Sequence, residues 1–480
     1  MTTASRPSSE IGNGMAGAAK HVERAASSRR LKSYAAYKDS GVEWLGKIPV
    51  HWEIRRLRST VTSCQNGVWG DEPGGVNDVV CVRVADFNRV TFRVEIEEPT
   101  MRAIDTAVVV ARGLRPGDLL LEKSGGGENQ PVGAVVLFDH EVPAVCSNFV
   151  ARVSVASGHD PRYQTYLHAT LYAQRINTRH IKQSTGIQNL DSSSYLSESV
   201  GLPTKAEQRT IANFLDRETA RIDGLIKKKE RLIELLKEQR AALITRAVTK
   251  GLDPNVPTKN SGIEWLGEIP AHWEVKPLKA ISTLQTGLTL GKKYEGSNLA
   301  TRPYLRVANV QDGYLWLNDI AEVELPVHDT LRYELREGDV LMTEGGDFDK
   351  LGRGHVWENQ IAGCLHQNHI FAVRPRRDVL SSGFLAFTMG SGYGRAYFTA
   401  TSKQSTNLAS TNSTKLRNLP MPIPNLCEQD QIVTEINRET VRIDTLFTKI
   451  QEAIDRLKEL RTALISAAVT GKINVREEIA

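Results

Sequence analysis

A chain of 480 residues is too long for one ordinary hydrophobic core and predicts two to four domains. Its composition, 40% hydrophobic and 24% charged, is typical of a globular protein, and no apolar run approaches the roughly 20 residues that span a bilayer, so we expect a cytoplasmic protein without membrane contact. The formal charge of +5 is concentrated near the amino end, so overall basicity gives no argument for nucleic-acid binding.

Residues 1–36 form the first segment, which is basic and rich in Ser, Ala and Gly. Such a composition buries too little apolar surface to offset the entropy of ordering the chain. We expect a disordered tail there.

A cassette that occurs twice follows the tail. The copies DSGVEWLGKIPVHWEIRRL at 39–57 and NSGIEWLGEIPAHWEVKPL at 260–278 lie 221 residues apart and are identical at 12 of 19 positions. Later segments keep this offset, so the chain is a tandem repeat from about residue 37 to its end. A motif that is the same in both copies cannot distinguish two ligands, and we expect its large side chains to pack at the entrance of each domain. They are Trp44, His51, Trp52, Trp265, His272 and Trp273.

Strands dominate the rest of the first half. The segments VCVRVA and FVARVSV are rich in β-branched residues, and VTFRVEI alternates between apolar and polar residues. A helix with Pro161 in its first turn follows. Residues 37–203 therefore predict a domain of the mixed α/β (α+β) class.

Three parts of this domain are candidates for DNA contact. Arg83 lies in a predicted strand, where a guanidinium can reach a purine edge. The glycine-rich segment KSGGGENQPVG lets backbone approach a groove, and the polar loop KQST offers a cation and hydroxyls to phosphates. An internally paired arginine, an ordinary hairpin loop and a solvated loop are the structural alternatives. The candidates in the two segments are Lys123, Ser124, Asn129, Gln130, Lys182, Gln183, Ser184 and Thr185.

A long helix is predicted after each domain, within 204–257 and 425–480. Thr204 with Glu207, and Asn425 with Glu428, have the spacing of a capping box directly after a proline. Apolar residues then recur every seven residues along two seams. Two seams on one chain most economically bury each other, which predicts antiparallel coiled-coil helices of about 67 Å, at about 1.5 Å per residue. The second seam includes Leu225, Leu232 and Leu446.

The second half, residues 258–424, repeats the order of strands and helix. Its candidates for DNA contact are in the strand YLRVANV, the glycine-rich segment TEGGDFDKLGRG and a second KQST. Because KQST is shared by both halves, we expect it to position the DNA backbone, whereas segments that differ would discriminate between bases. The candidates are Arg306, Asn309, Lys350, Arg353, Lys403, Gln404, Ser405 and Thr406.

These elements together predict two α/β domains in tandem, separated by two long antiparallel helices and related by a pseudo-twofold repeat. Related but divergent domains at a fixed separation suit an asymmetric DNA target in two parts.

Catalytic motifs are absent from the sequence. It contains no P-loop and no His-Glu-x-x-His motif, and its five cysteines include no CxxC pair. Gly-Asp precedes an apolar strand in both halves, so we interpret Asp118 and Asp339 as turn residues. His366 and His369 lie three residues apart, but nothing nearby completes a metal site.

The duplicated cassette, with GLPTKAEQRTIANFLDRETARID at the junction into the first long helix, resembles the specificity subunits of type I restriction-modification systems. The resemblance covers nearly everything after residue 37. It implies a non-catalytic subunit whose two target-recognition domains each bind one half of a bipartite site in double-stranded DNA. It also implies a coiled-coil spacer that docks two methyltransferase subunits.

The same resemblance implies that the chemistry of phage defence belongs to partner chains. An adenine-N6 methyltransferase would use S-adenosylmethionine, and a restriction and motor subunit would use ATP and Mg, so this chain would bind no cofactor. Two hypotheses from other classes stay open at this point. One is a scaffold whose coiled coil joins two protein-binding domains, and the other is a nuclease that uses the Gly-Asp carboxylates.

Overall fold

The structure is a computed structural model that describes residues 32–75, 78–184, 186–289, 298–346, 352–405 and 408–476. The chain divides into two compact units. Of the described residues, unit 1 comprises those up to Lys229 and those from Glu452 onward, and unit 2 comprises those within Glu230–Gln451. Most of the predicted tail lies outside the described residues, but Tyr34 near its end is buried. The predicted domain boundaries stay a prediction.

Short strands and helices build the described part of the first half. The strands are β1 Tyr37–Asp39, β2 Lys47–Pro49, β3 Glu53–Arg56, β4 Val61–Asn66, β5 Asp78–Val82, β6 Phe87–Asn88, β7 Arg93–Val94, β8 Met101–Ala103, β9 Leu119–Glu122, β10 Ser124–Gly125, β11 Val135–Leu137, β12 Ala144–Cys146, β13 Val150–Val155, β14 Ile181–Ser184, β15 Ile187–Leu190 and β16 Ser199–Leu202. The helices are α1 Thr106–Arg112, α2 Pro161–Ala173, α3 Ser192–Tyr195 and the long α4 Lys205–Lys250.

A six-stranded mixed sheet, in the order β4-β13-β9-β11-β7-β6, lies at the centre of unit 1. The central strand β9 is buried on both faces because successive side chains enter two different cores. Leu119 and Leu121 pack with Tyr163 of α2, whereas Leu120 packs with Phe138 on the opposite face. A separate three-stranded sheet has the order β12-β5-β8.

Unit 2 repeats this plan. Its strands are β17 Thr258–Asn260, β18 Glu268–Pro270, β19 Glu274–Pro277, β20 Ser282–Thr286, β21 Leu299–Leu305, β22 Ala321–Pro326, β23 Val340–Thr343, β24 Gly345–Gly346, β25 Gly354–Val356, β26 Leu365–His366, β27 Ile370–Pro375, β28 Lys403–Ser405, β29 Leu408–Ser410 and β30 Pro420–Ile423. Its helices are α5 Leu278–Ile281, α6 Val327–Tyr333, α7 Ser382–Gly390, α8 Gly392–Thr401, α9 Ser413–Arg417 and the long α10 Leu426–Val469, which continues into unit 1.

The central sheet of unit 2 has four strands, in the order β20-β27-β23-β25. Strand β23 again sends alternate side chains to two cores, with Val340 and Met342 on one face and Leu341 on the other. The segment that corresponds to β6 and β7 forms only an isolated bridge between Val310 and Leu315. The predicted mixed α/β class is confirmed.

Two local predictions are wrong. The alternating segment 90–96 is not one strand, because the chain turns between β6 and β7 at Phe92, whose φ of 57° lies in the left-handed region. The one helix that the repeated order predicts in the second half is in fact two helices, α7 and α8, because the Ser391 side chain caps a new helix by accepting the Gly394 N–H.

The two long helices run antiparallel within each unit. In unit 1, Asp223 of α4 pairs with Arg461 of α10, while Gly471 beyond the end of α10 lies against Trp52 near the start of α4. A Cβ on Gly471 would stand 2.4 Å from Pro49, so only glycine allows this approach.

Unit 2 repeats the arrangement with the helices exchanged. Arg240 of α4 pairs with Asp444 of α10, while Gly251 beyond the end of α4 lies against Trp273. Among the described helices, none combines the length and the apolar composition that a membrane span requires.

One predicted seam is buried and the other is partly exposed. Along α10, Ile436, Ile443 and Ile450 of the first seam are buried. Leu446 of the second seam is 40% exposed, and Leu225 and Leu232 of α4 are 39% and 43% exposed. A pair of helices covers one stripe on each member, so the second seam is left partly in water.

Candidate nucleic-acid interface

The repeated cassette binds the first turn of the long helix. In unit 1 the buried Trp52 donates its indole N–H to Glu207 Oε1 at 3.2 Å, and His51 Nε2 lies 2.9 Å from Glu207 Oε2. Tyr34 donates its hydroxyl to the same Oε1 at 2.7 Å. The structure thus gives these cassette residues a joint with the long helix.

Unit 2 builds the same joint around Glu428. Trp273 donates its indole N–H at 3.0 Å to Oε1, and His272 Nε2 lies 2.9 Å from Oε2. The predicted capping box is therefore only half present. The Thr204 Oγ1 and Asn425 Oδ1 atoms accept the N–H groups of the two glutamates, at 3.3 and 3.0 Å, but each glutamate carboxylate binds the cassette instead of the cap backbone.

A glutamine beside each of these glutamates was missed from the sequence. Gln208 is fully buried, where its Oε1 accepts the Asp160 N–H at 3.0 Å and its Nε2 donates to the Pro203 carbonyl at 2.9 Å. Gln429 makes the equivalent bonds to Ser381 and Pro424, at 2.8 and 2.9 Å. The only available signal was the recurrence of Glu-Gln at the offset of 221 residues.

A small sheet in unit 1 brings two predicted DNA-binding segments together. Strand β10 begins the glycine-rich segment, β14 contains most of KQST, and both pair with β15. Asn189 of β15 lies opposite both Ser124 and Lys182, and its Oδ1 accepts the Ser124 hydroxyl at 2.6 Å. The predicted loop at 182–184 is therefore a strand, because backbone pairing with β15 orders it without an apolar face.

The exposed edge of this sheet carries the cation that the sequence singled out. The Lys182 side chain is 78% exposed, and its Nζ lies 2.8 Å from Asp191. Gln183 is also exposed, and Lys123 Nζ donates to Asn66 at 2.6 Å. Thr185 lies outside the described residues. We name β10, β15 and β14 the reading sheet of unit 1.

Unit 2 contains the same three strands in the same order. Strand β24 of the glycine-rich segment pairs with β29, which pairs with β28 of the second KQST. Ser410 lies opposite both Gly345 and Lys403, as Asn189 does in unit 1. Gln404 and Ser405 continue strand β28, and Thr406 lies outside the described residues. We name β24, β29 and β28 the reading sheet of unit 2.

The remainders of the two glycine-rich segments differ. Asn129 and Gln130 are exposed in unit 1, in a tight turn in which the Gly127 N–H donates to the Gln130 carbonyl at 3.0 Å. In unit 2, Lys350 lies outside the described residues. Arg353 is half-buried, and its carbonyl accepts the Thr343 N–H at 3.2 Å.

Arg83 and Arg306 stand just after strands β5 and β21, each at the start of a 3-10 turn. Asp86 Oδ2 accepts the Arg83 N–H at 2.7 Å, and Arg83 Nη2 lies 3.2 Å from Asp86 Oδ1. The prediction that these arginines lie within strands is wrong. Each backbone N–H is bound by the side chain three residues later, Asp86 or Asn309, which starts a turn and ends the strand.

The equivalent turn in unit 2 is held by Asn309. It is fully buried, accepts the Arg306 N–H at 2.7 Å, and donates to the Trp316 and Asp319 carbonyls at 2.9 Å. Its amide is thus used entirely inside the fold, which assigns Asn309 to the turn. Arg306 Nη2 pairs with the Asp319 carboxylate at 2.7 Å.

The Gly-Asp carboxylates hold turns in both units. Asp118 accepts the backbone N–H three residues before it at 2.8 Å and the Arg152 Nε–H at 2.7 Å. Asp339 accepts the same backbone bond at 2.8 Å and two bonds of 2.7 Å from Arg374. In the part of the chain that the structure describes, no group of three or more His, Cys, Asp or Glu side chains could hold a metal ion.

Comparisons with known proteins agree with the motif-based resemblance. No family model matches the sequence. Over 443 residues, 90% of this chain and 91% of the relative, the chain is 23% identical to the type I restriction enzyme StySPI specificity subunit of Salmonella potsdam. Over 445 residues, with the same shares, it is 22% identical to the EcoKI specificity subunit of Escherichia coli strain K12.

Two solved structures have a similar fold. The HsdS subunit from Thermoanaerobacter tengcongensis aligns with 89% of this chain and 98% of its own, with a TM-score of 0.53 and 15% identity. A chain from work on complex assembly and conformational transition of the type I R-M system aligns over 88% and 98%, with a TM-score of 0.60 and 16% identity. The resemblance to type I specificity subunits is thus confirmed.

Proposed function

We propose that this chain is the DNA-specificity subunit of a type I restriction-modification complex and has no catalytic centre of its own. The observation that carries the proposal is the reading sheet, which is built twice from the same pair of segments. Because one structural plan occurs in both units, each unit is suited to bind one half of a bipartite site in double-stranded DNA.

The two halves of the target are proposed to differ in sequence. The shared Lys-Gln-Ser strands are suited to phosphates, which position a protein without selecting a sequence. The glycine-rich segments differ after their first strand, where unit 1 has Asn129 and Gln130 and unit 2 has Lys350 and Arg353. Amide and guanidinium groups select different base edges, so we expect an asymmetric target.

The long helices are proposed to form a coiled-coil spacer that fixes the gap between the half-sites. Helix α4 has 46 residues, a length of about 69 Å at about 1.5 Å per residue. Apolar side chains stay exposed on the helices of unit 2, and they suit docking of methyltransferase subunits, which we propose are two in number. They are Leu232, Leu235, Val441 and Leu446.

The catalytic steps are assigned to partner chains. Adenine-N6 methylation with S-adenosylmethionine would belong to the methyltransferase subunits, and cleavage driven by ATP and Mg would belong to a restriction and motor subunit. The internal pairing of Asp118 and Asp339 supports this division, because carboxylates that hold turns are not available to bind a nuclease metal.

Expression of this chain with the methyltransferase encoded beside it, followed by mapping of methylated adenine in host DNA, tests the proposal. We expect one asymmetric motif in two parts, with a fixed gap. A strain with the methyltransferase alone is the control and should lack that motif. Unpatterned methylation by the complete complex would contradict the proposal.

A further inference from the structure

Arg461 of α10 is a buried cation with three partners in unit 1. It is 7% exposed. Its Nε and Nη2 lie 2.9 and 3.2 Å from the two carboxylate oxygens of Asp223 on α4, and Nη2 also donates to the Val90 carbonyl at 2.6 Å. Its guanidinium carbon lies 5.2 Å from the centre of the Phe92 ring. A fork-shaped cation with this many partners is held in one geometry.

The hairpin that Arg461 binds, Phe87–Val94, has a conformation that its surroundings must maintain. Phe92 has a left-handed φ of 57°, which is uncommon for an aromatic residue. Its ring packs edge-on against Tyr166 at 6.1 Å, and the Asn88 side chain accepts the N–H groups of Val90 and Thr91 at 2.8 Å. Such a backbone persists only where neighbours fix it, and Arg461 is one of those neighbours.

The same hairpin also reaches the reading sheet of unit 1. Arg89 at its tip donates through Nη2 to Glu122 Oε2 at 2.8 Å. Glu122 is 2% exposed and ends strand β9, so only Lys123 separates it from Ser124, the first residue of β10. A continuous set of contacts therefore joins α10 to the reading sheet.

Unit 2 does not repeat this set of contacts in its described residues. Arg240 corresponds to Arg461, but its Nε lies 3.9 Å from Asp444, and the two side chains are 41% and 58% exposed. Thr343 stands where unit 1 has Glu122. Asp312 follows Arg306 by six residues, as Arg89 follows Arg83, and it pairs with Arg395 at 2.5 Å. Arg240 is thus a matched control within the same chain.

We propose that Arg461 is a positioning residue that holds the reading sheet of unit 1 in place through Val90, Arg89 and Glu122. Unit 1 then distinguishes its cognate half-site from altered sequences fully only when Arg461 of α10 contacts the hairpin. This inference rests on the proposed function of the chain. It adds that one half-site, and not the other, depends on a residue of the long helix.

The test uses the complete complex of this chain with its methyltransferase partners. The variants are Arg461→Ala, Arg461→Lys, Arg89→Gln and the control Arg240→Ala. Backbone hydrogen exchange is measured at Val90–Arg93 and at Ser124–Gly125. Discrimination is measured as the ratio of methylation rates on the cognate site and on sites with one changed base in either half.

We expect Arg461→Ala to accelerate exchange in both segments and to lower discrimination in one half-site by about tenfold, within the usual range of coupling between sites. Arg461→Lys should lie between it and the wild type, because an ammonium cannot keep the fork of bonds. Arg240→Ala should leave both measurements unchanged. Arg89→Gln should lower discrimination in the same half-site. The double variant with Arg461→Ala should show little further loss of discrimination, because both residues act through the same set of contacts.

Unchanged exchange at Ser124–Gly125 in Arg461→Ala would overturn the inference, as would equal losses in both half-sites. If Arg461→Ala does not assemble, Arg89→Gln decides in the same way. A wild-type complex that methylates no bipartite site would refute the proposed function. The exchange measurement would still decide whether Arg461 holds the reading sheet.

Discussion

Glu207 and Glu428 explain why the cassette occurs twice, because each accepts a hydrogen bond from the tryptophan of one copy. Trp52 and Glu207 are 155 residues apart, so no local pattern could predict their hydrogen bond. The sequence predicted that the large cassette residues pack, because they are identical in two otherwise divergent halves. This holds for Trp52 and Trp273, which are fully buried, but not for Trp265, which is 44% exposed. The sequence did not identify Glu207 as the hydrogen-bond partner of Trp52, because a glutamate at the third position of a helix is also explained by a capping box.

Replacement of Glu207 by alanine should destabilise unit 1. The buried Trp52 indole N–H would lose its acceptor, which costs about 1–3 kcal/mol of unfolding free energy. Glu428→Ala is the matched variant for unit 2. Urea unfolding followed by the fluorescence of tryptophan measures both, and stability equal to that of the wild type would contradict the assigned joint. Glu207→Gln keeps an acceptor and should cost less.

Because His168 is buried, we expect the stability of the fold to depend on pH. Burial lowers its pKa to about 4, from an ordinary value near 6.5, so the unfolded chain binds a proton in this window that the folded chain does not. Stability should therefore fall as pH decreases from about 6.5 to about 4, with a contribution of about 2 kcal/mol by pH 5.

The variant His168→Met isolates this contribution, because unit 2 has Met389 at the corresponding buried position. Urea unfolding at pH 7 and pH 5 should show a smaller loss of stability in the variant than in the wild type. The same loss in both proteins would show that His168 does not titrate as its burial implies.

At the scale of elements, the central strands were predictable and the reading sheets were not. Strand β9 is apolar apart from its last residue and β13 is rich in valine, and both compositions favour a buried strand. Strand β14 has a polar sequence, and its order comes from pairing with β15, whose register no residue pattern discloses. The sequence predicted the seven-residue spacing of the apolar seams on the long helices. It did not predict which seam the partner helix would bury.

Substitution of Lys182 tests whether the reading sheet of unit 1 contacts DNA phosphates. Lys182→Ala should weaken DNA binding by the complex on every sequence and should reduce the salt dependence of binding by about one unit of slope. Lys403→Ala is expected to act alike in unit 2. Lys228→Ala, an exposed change on α4, is the control. An unchanged slope in Lys182→Ala would argue against phosphate contact.

For the whole molecule, the prediction of a tandem repeat needed only an offset in the sequence. In the described residues, the small sheets and the cassette joints of the two units match. The antiparallel pairing predicted from the seams already implied that helix segments from both halves of the chain meet in each unit. The residues that make the contact, such as Asp223 and Arg461, lie 238 positions apart and could not be identified from the sequence.

The central claim is that two units bind separate half-sites whose gap the long helices set. The most direct test inserts one heptad into α4 between Asp223 and Arg240, and one into α10 between Asp444 and Arg461, and maps methylated adenine again. We expect the gap to lengthen by about three base pairs, from about 10 Å of added helix and about 3.4 Å per base pair, with both half-sites unchanged. A methylated motif with the original gap would contradict the claim.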